Sequence, residues 1–81
     1  MQPQIRFTDY FENEVLRKRS YLRRHWCVNV VLYPHRVDPQ PDGRYRSCGQ
    51  VPELGGRYLR VVTLAERCTI HNAFPDRRFV P

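Results

Sequence analysis

His71 and the arginines around it are the residues in this chain whose types and spacing could do chemistry. The segment Cys68-Thr-Ile-His-Asn-Ala-Phe74 runs into Pro75-Asp-Arg-Arg-Phe79, and Arg57-Tyr-Leu-Arg-Val-Val-Thr-Leu64 precedes it. Histidine changes charge near neutral pH, so His71 suits the role of general acid or base when a ribose 2′-hydroxyl attacks its adjacent phosphate. Arg60 and Arg77 could stabilise the charge that develops on phosphorus, because a guanidinium offers a planar fork of donors that matches phosphate. No metal or other cofactor is needed for that reaction. The competing reading makes His71 a strand histidine that is hydrogen-bonded in the sheet or left in solvent.

Other residues add binding capacity rather than chemistry. Arg44, Arg46, Arg57 and Arg78 could hold a polyanion, and Tyr58 or Tyr45 could stack on splayed bases, although strand tyrosines commonly serve as packing. The Asp76-Arg77-Arg78 tail is either a solvated terminus or is held near the last strand by docking of Phe79 and Val80. His25 and His35 read as capping or surface groups. Glu53 and Glu66 fall in separate loops and form no paired-carboxylate signature. No Gly-rich phosphate loop, Ser/His/Asp set or HExxH motif is present. Cys27, Cys48 and Cys68 lack Cys-x-x-Cys spacing, so they read as reduced, packed thiols, with Cys48 the one whose flanks could leave it in solvent.

Composition agrees with an anionic partner. The 81 residues carry a formal charge of +6, and of 14 basic residues Lys18 is the only lysine. Nucleic acid ranks first as partner, an acidic protein second and a membrane surface a distant third. No run approaches the roughly 18 apolar residues of a membrane span, and the start Met-Gln-Pro-Gln has no signal-peptide pattern, which makes the cytoplasm the expected location. The length suits a single domain over residues 1–81.

The elements that must position these groups follow from periodicity. Gln4–Thr8 alternates as a short opening strand, an edge strand given Pro3. Thr8 or Asp9 caps a helix over Tyr10–Arg19 whose acidic start and basic end suit the helix dipole. Ser20 reads as a second cap for Tyr21–Leu32, with Leu22, Trp26 and Val30 at helical spacing and Pro34 as the stop. His35–Asp38, Arg44–Val51, Arg57–Leu64 and Cys68–Phe74 then read as strands, separated by Pro41-Asp-Gly43 and Pro52-Glu-Leu-Gly-Gly56. The sum is an α+β domain in which two helices pack on one face of a three- to four-stranded antiparallel sheet and leave the other face open. Period-two alternation does not settle whether Arg60 and His71 share that face.

With this element order, and on segments Pro52–Leu64 and Ile70–Phe79, the chain resembles the small RelE/ParE-type toxins, most closely the BrnT-like branch. The resemblance implies a bacterial type II toxin that cleaves RNA without metal and is silenced in a hetero-oligomer with its cognate antitoxin. It places basic residues on the sheet strands and tail, where Arg44, Arg46, Arg60, His71 and Arg77 or Arg78 stand here. The chain departs from the pattern in having no tyrosine at its extreme end and few lysines, which puts ribosome dependence in question. The alternative is a non-catalytic relative of the fold that acts by binding gyrase, another protein or nucleic acid.

Overall fold

The closing strands form the centre of a five-stranded sheet in the computed structural model, which describes residues 4–80. The strands are β1 (Arg6–Phe7), β2 (Arg36–Pro39), β3 (Tyr45–Val51), β4 (Arg57–Thr63) and β5 (Thr69–Pro75), in spatial order β1-β5-β4-β3-β2. Neighbours from β2 to β5 are antiparallel, as the turns between them require, but β1 lies parallel to β5. The expectation of a three- to four-stranded antiparallel sheet is corrected to a five-stranded mixed one. The opening strand joins the sheet instead of standing apart: the Arg6 N–H donates to the Cys68 carbonyl at 2.9 Å and the Thr8 N–H to the Ile70 carbonyl at 3.0 Å, the alternate-residue pattern of a parallel ladder.

Two helices cover one face. The first, α1, runs over residues 9–18 and contains a wide turn, Phe11–Val15, where the Leu16 N–H reaches back to the Phe11 carbonyl. Thr8 caps it, its Oγ1 accepting the Phe11 N–H at 3.0 Å. The second, α2, spans Arg24–Leu32 and starts three residues later than the sequence suggests. Arg19 leaves the helical region, the Leu22 N–H closes a turn on the Arg19 carbonyl at 2.9 Å, and Arg23 is extended, so Ser20 belongs to a turn and caps nothing. Leu22 is buried even so, and it anchors that turn in the core. Pro34 ends α2 as expected, with Tyr33 at its C-cap.

The core lies between helices and sheet. Phe11, Val15, Leu22, Cys27 and Val30 meet Val51, Leu59, Val61, Ile70 and Ala73. Gly49 on β3 lets α2 approach closely, since a Cβ there would stand 3.2 Å from Val30 Cγ2. Gly43, Gly55 and Gly56 take positive φ in the two loops between β2, β3 and β4, as Pro-Asp-Gly and Gly-Gly signals require. No helix among the described residues is long and apolar enough to cross a membrane.

Candidate functional site

The open face is set by register. Arg36, Cys48, Arg60 and Phe74 lie in one row across β2, β3, β4 and β5, and Asp38, Arg46, Val62 and Asn72 in the next. His71 belongs to neither row. Val62 pairs with Asn72 and Thr63 with Ile70, so His71 is the extra residue of a β-bulge. The bulge puts both Ile70 and Ala73 into the core and turns His71 to the open side, correcting the simple alternation that grouped His71 with Thr69 and Ala73.

His71 and Arg60 therefore line one cavity of about 300 Å³, together with Tyr10, Arg44, Asn72 and Phe74 among others. Each wall has a local cause. The β1–β5 ladder holds Thr8 beside the bulge, where its Oγ1 lies 3.1 Å from His71 Nδ1. The α1 cap thus shares its oxygen with the histidine ring. Tyr10, in the first turn of α1, stacks on that ring with centroids 4.9 Å apart and planes 26° from parallel. Burial, and secondarily the Arg44 guanidinium, depress the His71 pKa below its ordinary value of 6.5 and favour the neutral imidazole. With Nδ1 on Thr8, Nε2 is the nitrogen left for a ligand.

The arginines are not equally available. Arg60 donates to Asp76 at 2.5 Å, and the two side chains are 25% and 8% exposed, so this is a largely desolvated pair. Asp76 is fixed in turn: its N–H donates to the Tyr58 carbonyl and its Oδ1 accepts the Arg78 N–H. Arg44 has Asp42 at 3.6 Å, a more exposed contact. Arg46 sits on the open face beside Val62, with its Nε buried and without a hydrogen-bond partner.

The remaining candidates stand elsewhere. Arg57 has the side-chain parity of Leu59 and Val61, away from the His71 face, and is exposed at the sheet end. Arg77 and Arg78 are exposed in the turn after β5. Arg57 and Arg77 line a separate cavity of about 200 Å³ with Tyr58 and Phe79. The structure thus does not bring Arg77 to His71, because Asp76 turns the chain toward β4 and Phe79 then packs on Tyr58, 4.8 Å between centroids, and on His35. Docking by Phe79 is the second of the two fates considered for the tail, although Val80 remains exposed. Tyr58 is accordingly engaged in packing. Arg36 lies over Phe79 at 4.9 Å and closes this cluster.

Two of the three cysteines, Cys27 and Cys48, are packed, whereas Cys68 is half-buried. Cys27 is buried and its thiol pushed up to about 12 by desolvation. Cys48, expected as the one that could face solvent, is only 2% exposed: it sits beside Arg60, Asp76 and Arg36, which together cover that part of the sheet face, and burial raises its pKa. Among the described residues no three His, Cys, Asp or Glu side chains group to hold a metal ion. A larger cavity of about 420 Å³, between α2 and the end of β3, is lined by Trp26, Val30, Gln50 and Glu53 and contains no histidine or arginine.

Thr8, Tyr10 and Asp76 are site residues that sequence reasoning did not assign to the site. Thr8 was legible as a cap and Asp76 as a turn residue, but nothing local to either reports its partner across the sheet. No family model, no curated protein and no solved structure matches the chain.

Proposed function

We propose that the chain is a metal-independent endoribonuclease of the bacterial toxin–antitoxin kind, working in the cytoplasm and held silent by a protein antitoxin. The observation that carries the reading is a histidine held at Nδ1 by Thr8 and set in one cavity with two arginines, where burial and then Arg44 disfavour its charged form. In the base role Nδ1–H donates to Thr8, and the Nε2 lone pair takes the proton of a ribose 2′-hydroxyl. The 2′-oxygen attacks phosphorus, the bond to the 5′-oxygen breaks, and the departing oxygen takes a proton from water. Products are a 2′,3′-cyclic phosphate and a 5′-hydroxyl. Arg44 and Arg60 stabilise the charge on the non-bridging oxygens, and Arg46 extends the basic surface along the face. Arg57, Arg77 and Arg78, removed from His71, serve RNA binding rather than catalysis.

The test is incubation of purified protein with single-stranded RNA in chelator. Cleavage with cyclic-phosphate ends is expected, with a loss of about 100-fold or more in His71→Ala. Uncut RNA, or cleavage indifferent to His71, sinks the reading. One observation favours a binding role instead: Arg60 and Arg44 each already have a carboxylate partner, which lowers their charge toward a reacting phosphate. On that second reading the open face grips a protein or nucleic acid without chemistry, and salt-sensitive binding without cleavage is the expected result.

A further inference from the structure

Phe74 is a half-buried ring on the open face, and two guanidinium groups converge on it. Arg60 reaches it from the adjacent strand β4, its carbon 5.7 Å from the ring centre. Arg19 comes from the far end of the sequence, where α1 breaks into the turn before α2, and its carbon stands 5.8 Å from the same centre. Both distances fall within the range in which a cation is attracted by an aromatic face. Like charges that gather at one ring need compensation, and only one of the two has it. Asp76 holds Arg60, and Asp42 stands beside Arg44 at the neighbouring wall of the cavity. Arg19 has no carboxylate partner among the described residues, whereas Arg17 and Arg24 on the same helices are paired with Glu14 and Glu12.

We infer that Arg19, steadied on Phe74 at the rim of the His71 cavity, which Phe74 lines and Arg19 does not, takes a backbone phosphodiester of a polynucleotide bound there. The geometry supplies the reason for its placement. The ring orients the guanidinium plane without neutralising it, so the fork of N–H donors stays free for anionic oxygens. Arg60, locked by Asp76, shapes the wall and adds a partial charge. The break of α1 at Arg19, an irregularity in helix geometry, is what brings this side chain to the sheet. The polynucleotide identity of the ligand rests on the function proposed above; the anion site does not depend on cleavage.

A fluorescent 2′-O-methyl RNA of about ten nucleotides separates the two, because it offers the phosphates and lacks the attacking hydroxyl. Its affinity for the full chain is measured between about 50 and 200 mM salt. Arg19→Ala is expected to weaken binding and to lower the magnitude of the salt slope by about one, as loss of one phosphate contact does. Arg17→Ala, which removes a basic residue already paired with Glu14, is expected to leave the slope unchanged. Arg19→Lys keeps the charge and therefore the slope, and guards against a folding defect as the cause. Equal slopes for the wild type and Arg19→Ala, an equal drop in Arg17→Ala, or no binding at all overturns the inference. Unmodified RNA, read separately with His71→Ala, judges the cleavage reading: Arg19-dependent binding without cleavage sinks only that reading, and cleavage with Arg19-independent binding sinks only this one.

Discussion

His71 is held on two sides by residues of the chain's first ten positions, Thr8 at its Nδ1 and Tyr10 against its ring face. Arg44 approaches it from the third. The positive charge of Arg44 and the loss of hydration both disfavour imidazolium, so the neutral ring persists to lower pH than in an exposed histidine. Unfolded chain then binds this proton more readily than folded chain, and the sign follows: stability is full above 6.5 and declines as pH falls through the lowered folded value. Arg44→Ala is expected to move the His71 midpoint upward, toward 6.5 but short of it because burial remains. Titration of the ring resonances by NMR reads this directly, and an unmoved midpoint contradicts the role given to Arg44. The residue types of this site were legible in the sequence, since a histidine among strand arginines is a local pattern. Its supporting residues were not, because Thr8 stands 63 positions before its partner and carries the same signal as any helix cap.

At the scale of elements, the strands and turns were readable where glycine and proline punctuate alternation, as at Pro41-Asp-Gly43 and Gly55-Gly56. The bulge at His71 was not, because an extra residue leaves no mark in a strand whose neighbours Thr69, Asn72 and Ala73 suit either face. The start of α2 was misplaced for a related reason: Ser20 has cap chemistry, and Leu22 has helical spacing, yet tertiary burial of Leu22 outweighs both. Close approach of α2 to β3 rests on Gly49, against which both Val30 methyl carbons stand within 3.4 Å of where a Cβ would be. Gly49→Val is expected to destabilise by about 1 to 3 kcal/mol through overpacking. Denaturant unfolding measures it, and an unchanged midpoint would show that α2 can withdraw at no cost.

Across the whole molecule the open face concentrates charge that the composition only totals. Arg36, Arg44 and Arg60 stand there paired with Asp38, Asp42 and Asp76, so the face is a mosaic in which Arg46, on the interior strand β3, has no carboxylate partner among the described residues. The α+β class and the helix-covered sheet followed from element order alone. The order of strands did not, because β1 is too short to announce its neighbour and parallel pairing has no turn to signal it. The β1–β5 ladder has a temporal meaning as well. Arg6 meets Thr69 across most of the chain, a contact whose closure is slow compared with hairpins between adjacent strands. The hairpins β2–β3 and β3–β4 can form before it, and the Thr8 clamp on His71 can form only with it. Pulse-labelled hydrogen exchange should find the Arg6 and Thr8 amides protected later than those of β3 and β4, and simultaneous protection would refute the order. A chain whose hairpins have closed but whose β1 has not docked would then be folded to most probes and still lack the Thr8 contact on the His71 ring, so that arrival of β1 is the step that completes the cavity.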